Sequence, residues 1–184
     1  MAVVGERAGA MPRASSGESS SILDRVEGAL YRCEAALVIG CLVLMLVTIC
    51  VSVAARYFAL PLPNFGELAT VAMAPLTFVG AALCTYLNGH IAVDFAQILP
   101  SAILRLLARA AAALSQLAFA GIFAYVAWEF YAYAVESGER LIDLGTPVAV
   151  PGAFMVAGSV LMAFHALADL YRIARGLPHP GRER

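Results

Sequence analysis

Four stretches of this chain run for roughly twenty positions or more without an Asp, Glu, Lys or Arg: residues 35–55, 68–87, 110–128 and 144–168. Polar or charged residues close each one: Glu34 and Arg56, Glu67 and His90, Arg109 and Glu129, Asp143 and Asp169. A helix needs about 20 apolar residues to cross the ~30 Å hydrocarbon core of a bilayer. These stretches are unbroken in Leu, Ala and Val, whereas membrane strands alternate apolar and polar positions over about ten residues. The pattern predicts an all-α integral membrane protein with four transmembrane helices.

The flanks divide the rest. Residues 1–21 have no apolar stretch and are expected to be a disordered tail. Residues 22–175 form the membrane domain, and 176–184 a short C-terminal tail. The first apolar run is too long for a signal-peptide core and is kept as a span. Ser21-Ile22-Leu23-Asp24 has the form of a capping box, so a helix is expected from about Ile22. Its first turns set Leu23, Val26 and Leu30 against Asp24, Arg25 and Glu27. This amphipathic lead-in either lies on the membrane surface or extends the first span into water. Pro75, inside the second span, is expected to kink it or free a carbonyl one turn back. Pro151 sits near the start of the fourth, where the first-turn N–H groups have no intrahelical partner. Between spans two and three, Ile91, Val93, Phe95, Ile98 and Leu99 suggest a short interfacial segment ended by Pro100.

Composition narrows the function classes. The chain is 61% hydrophobic and 14% charged, against about 45–50% and 25% for soluble domains. A soluble enzyme, a nucleic-acid binder and a disordered chain are excluded. All 12 basic residues are Arg. Arg7, Arg13, Arg25 and Arg32 precede the first span, Arg105 and Arg109 precede the third, and Arg172, Arg175, Arg182 and Arg184 follow the last helix. Only Arg56 and Arg140 fall on the other side. By the positive-inside rule both termini are cytoplasmic. Tyr31, Tyr86 and Tyr171 mark one interface, and Tyr57, Phe65, Trp128, Tyr131 and Tyr133 the other. Cys33, Cys41, Cys50 and Cys84 lack metal or disulfide spacing and read as small core residues.

The spans offer little chemistry. Each carries a small or polar face: Cys41, Thr48, Ser52 and Ala55; Thr77, Gly80, Ala81 and Cys84; Ala113, Gln116, Ala120, Ala124 and Ala127; Gly158, Met162, His165 and Asp169. Small faces let membrane helices pack closely, on one another or on a partner. No acid lies deep in a span, since Glu67, Glu129 and Asp169 are all at span ends, and no inverted repeat is visible. His165 is expected to be oriented by Asp169 four residues on. His90 and Asp94 form another such pair if their segment is helical. Arg56 and Glu67 flank the proline-rich turn and are expected to pair across it or with another subunit. HExxH, GxSxG, P-loop and GxGxxG signatures do not occur, so neither catalysis nor a cofactor or metal is expected.

A resemblance adds to this. Arg56-Tyr57-Phe58, a proline-rich turn and then Gly66-Glu67-Leu68-Ala69 open the pattern. Gly80-Ala81-Ala82 and Asn88-Gly89-His90-Ile91-Ala92-Val93-Asp94 continue it, and Thr146-Pro147 with Pro151-Gly152 leads into the last helix. Together they resemble the small integral-membrane subunit of tripartite ATP-independent periplasmic (TRAP) transporters, over about residues 22–175. Phe65 stands where an interfacial Trp is common in that family. The resemblance implies a non-catalytic, four-helix subunit in a bacterial inner membrane. It would brace a large permease subunit, with a periplasmic binding protein delivering an organic acid for sodium-driven uptake. Arg56, Glu67, His90, Asp94, Gln116, His165 and Asp169 are the candidate structural or subunit-interface residues. Two other readings stand beside it: a haem- or quinone-linked membrane anchor using His90 and His165, and a small self-assembling carrier.

Overall fold

The computed structural model describes residues 16–61, 63, 65–87 and 101–176. The described residues form four helices, each long and apolar enough to cross a membrane: α1 Ser16–Tyr57, α2 Gly66–Tyr86, α3 Ala102–Ser137 and α4 Ala149–Arg175. The 21 residues of α2 span ~31 Å at about 1.5 Å per residue, close to one bilayer core. The 42 residues of α1 reach about twice as far. The excess lies at the N-terminal end. α1 begins at Ser16, ahead of the expected start near Ile22, and runs without a break through the lead-in. His90, Asp94 and the interfacial segment ending at Pro100 lie outside the described residues.

α1 packs on α2, α2 on α4, and α4 on α3. Along α1 the buried positions below the turn are Glu27, Glu34, Cys41, Thr48 and Ala55, one every seven residues. Along α3 they are Ala113, Ala120, Ala127 and Ala134, at the same period. A seven-residue line keeps one narrow seam facing its neighbour, the geometry of a shallow left-handed crossing. Both helices bury one narrow line, and much of their remaining surface faces outward. Leu46, Val53, Ile122 and Tyr125 are all more than 60% exposed, an apolar surface suited to lipid or another subunit.

The centre is close-packed. Ala82 of α2, Ala120 of α3 and Met162 of α4 form the core cluster, and Phe78 stacks on Phe123 at 5.4 Å between centroids. Gly158 lets α4 touch the α2 backbone: a Cβ there would stand 2.6 Å from the carbonyl carbon of Phe78. The expected buried face of α2 is corrected. Ala69, Ala72, Pro75, Val79 and Ala82 face inward, while Thr77 and Cys84 are exposed. Gly80-Ala81 is small, but it is the line one position along that meets both neighbours. α2 continues through Pro75 without interruption. Of the cysteines only Cys41 is buried; Cys33, Cys50 and Cys84 are exposed.

At the Arg56 end, α1 closes in a Schellman-type turn. Leu60 N–H donates to the Ala55 carbonyl at 2.9 Å and Ala59 N–H to that of Arg56 at 3.4 Å. Ala59 takes the left-handed position, with φ +50°, where glycine is the usual occupant.

Candidate functional site

Tyr86, the last residue of α2, touches Tyr31 of α1 and His165 of α4, with ring centroids 5.0 and 5.4 Å apart. From this level outward long polar side chains join α1 directly to α4. His165 Nε2 lies 3.1 Å from Glu34 Oε1, and Nδ1 lies 3.4 Å from Glu27 Oε1. Two turns further along α4, Arg172 donates from Nη2 to Asp24 Oδ1 at 2.7 Å and to Glu27 Oε2. Glu27 thus joins both α4 residues, one oxygen to each.

This cluster is dry except at its rim. Glu27, Glu34, His165 and Arg172 are each at most 3% exposed, whereas the Asp24 side chain is 48% exposed. Buried charges are tolerated when paired and hydrogen-bonded. Glu34 Oε2 and Arg172 Nη1 have no partner among the described residues.

The geometry corrects the expected His165–Asp169 pair. Four residues along a helix leave an offset of about 40° around its axis. That offset turns His165 to α1 and Asp169 to α3, where Arg109 Nη2 stands 3.9 Å from Asp169 Oδ1. Both ring nitrogens of His165 face carboxylates, so neither points a lone pair at a metal. The haem-anchor reading loses its described ligand.

The other end has a second tie. Glu67, in the first turn of α2, accepts from the Leu144 N–H on Oε2 at 2.7 Å and from the Thr146 N–H on Oε1 at 3.0 Å. Both lie in the turn joining α3 to α4. That turn is closed on itself by Leu141 N–H to the Thr146 carbonyl and Val148 N–H to that of Glu139. Arg140 donates to the Gly145 carbonyl at 3.1 Å. Glu67 is therefore engaged with backbone, and no Arg56–Glu67 ion pair forms among the described residues; Arg56 is exposed. Gln116 Nε2 donates to Thr85 Oγ1 at 3.3 Å, tying α3 to α2.

The polar side chains so described join the molecule's own helices, at both ends of a small-residue core. The class this defines is a polytopic helical membrane protein with buried polar side chains paired between its own helices. The family model of tripartite ATP-independent periplasmic transporters, DctQ component, matches residues 44–176. The chain belongs to that family, the small permease subunits of TRAP transporters, and is a transporter component and not an enzyme. A comparison with curated proteins gave no match. The match begins after Glu34, so the α1 half of the buried cluster precedes the matched segment while His165 and Arg172 lie inside it.

Proposed function

We propose that this chain is the static brace of a three-part importer in a bacterial inner membrane. A large permease subunit carries the solute, and a periplasmic binding protein delivers an organic acid for sodium-driven uptake. One observation carries the reading: the buried acidic and basic side chains among the described residues are committed to ties between segments of this chain. Asp24, Glu27, Glu34, His165 and Arg172 bind α1 to α4, and Glu67 binds the α3–α4 turn to α2. A support held rigid at both ends, with outward apolar faces on α1 and α3, suits a subunit that steadies a larger one. Both termini are assigned to the cytoplasm from the arginine split, which puts the buried cluster on the cytoplasmic side and the Glu67 tie on the periplasmic side.

The test is reconstitution of the permease and binding protein in liposomes, with and without this chain, under an imposed sodium gradient. Uptake that needs the chain, with co-purification of the permease, is expected. Undiminished uptake without it would refute the brace. Reporter fusions after Arg184 and within residues 137–145 check the topology, with cytoplasmic and periplasmic signals expected respectively.

A further inference from the structure

A cavity of about 710 Å³ opens between the last two turns of α1 and the start of α2, lined by Ile49, Ser52, Val53, Arg56, Leu60 and Pro63 among others. Pockets of about 300–1,000 Å³ hold drug-sized molecules, so the space is too large for a bare inorganic anion. Among the described residues, two of the lining side chains are polar. One is Arg56, which makes no ion pair among the described residues. Arg140, the other arginine at this end, is occupied with the Gly145 carbonyl. The second is Ser52, whose hydroxyl is buried without a partner among the described residues. Ser52 lines the cavity beside Arg56, one helical turn back along α1.

We propose that this cavity binds the phosphodiester headgroup of a phospholipid, with Arg56 as its cation and Ser52 as a second donor. Arg56 is in the last turn of α1, where the helix leaves the hydrocarbon. Tyr57 and Phe58 beside it are 82% and 68% exposed, aromatic rings placed as in a headgroup-level belt. From the cavity, Val53, Ile49 and Leu46 continue along α1 as an exposed apolar strip, a track for an acyl chain. An arginine and a hydroxyl above an apolar track fit a phosphate that carries tails. A guanidinium holds phosphate through paired, charge-assisted hydrogen bonds.

The experiment uses the full chain co-purified with its permease, stripped of lipid in detergent and titrated with phosphatidylglycerol while bound lipid is counted by native mass spectrometry. One lipid is expected to bind the wild-type complex. Arg56→Gln should weaken it about tenfold or more, as loss of a charged hydrogen bond implies, and Arg56→Lys should recover much of it. Ser52→Ala should weaken it less. Arg56 is exposed, so the melting midpoint should not move. Equal lipid binding by Arg56→Gln overturns the proposal. So does full competition by inorganic phosphate at matching concentration, which would mark a free-anion pocket. An Arg56→Gln complex that keeps its lipid but sheds the permease also overturns it, because a protein carboxylate would then be the occupant.

Discussion

Replacing Arg172 with methionine removes the guanidinium that Glu27 and Asp24 share and leaves their carboxylates in place. The two contacts differ in weight. Asp24 is 48% exposed, and a pair open to water is worth about 0–1 kcal/mol. Glu27 is 1% exposed. Its remaining contact is the 3.4 Å approach to His165 through the other oxygen, so Oε2 would be left buried and alone. Removing one partner of a buried pair costs about 3–5 kcal/mol, and the dry Glu27 contact should account for most of it. The converse change, Glu27→Leu, should cost somewhat less, because Arg172 keeps its 2.7 Å contact with Asp24. The double variant Glu27→Leu, Arg172→Met strands no charge. His165 keeps Glu34 at 3.1 Å, and methionine beside leucine fills much of the gap. Buried pairs replaced by apolar groups of similar volume are often neutral.

The double variant should therefore be more stable than Arg172→Met alone, with a coupling energy of at least about 3 kcal/mol from the same buried-pair penalty. The assay is equilibrium unfolding of the purified chain in mixed detergent micelles, followed by helical circular dichroism for wild type, both singles and the double. Additivity within about 0.5 kcal/mol would refute the reasoning, since it would mean that Glu27 and Arg172 are each solvated separately.

Four further outcomes follow from the packing. Ala59→Gly should stabilise the protein by about 1 kcal/mol, because a left-handed conformation costs an L-residue about 1–2 kcal/mol; an unchanged unfolding midpoint would count against the turn. Gly158→Ala should destabilise at the upper end of the ~1–3 kcal/mol range for overpacking, because the carbonyl carbon of Phe78 is backbone and must move; a wild-type midpoint would deny the close contact. Glu67→Gln should speed amide exchange at Leu144 and Thr146 while α2 exchange stays unchanged; equal protection of both amides would break the proposed tie. Ala120→Leu should lower the yield of folded chain even without its permease, because Ala120 is wholly buried; normal yield with lost co-purification would make that line a docking face instead.

The four spans were legible in sequence because apolar length is a direct physical requirement of the bilayer. The α3 face was legible too: Ala113, Ala120 and Ala127 repeat every seven residues, and Gln116 on the same side advertises a partner, found in Thr85. The α2 face was not. In a helix rich in Ala and Gly, small residues lie on several sides, and composition cannot choose the side that meets two neighbours. The role of Glu67 was hidden for another reason. Its partners are backbone N–H groups of a turn some 77 residues on, and backbone donors leave no residue-type signature.

The buried cluster had a signal that apolar span boundaries concealed. Cys41, Thr48 and Ala55 form an α1 line at seven-residue spacing, and the same period carried backwards lands on Glu34 and then Glu27. Treating Glu34 as the charge that ends a span stops the line where the bilayer stops. The helix, however, has no reason to stop there, and neither does its seam. While α2 is present, the seam needs small residues, because two helices touch backbone to backbone. From the level of Tyr86 outward the same seam meets α4 through Glu34 and Glu27. A switch along one line from Ala, Thr and Cys to Glu therefore marks where the line turns from α2 to α4. His165 and Arg172, seven apart on α4, answer with the matching period and the opposite charge. Two seven-residue lines of complementary sign, each continuing a span past its apolar limit, are the sequence form of this interhelical tie.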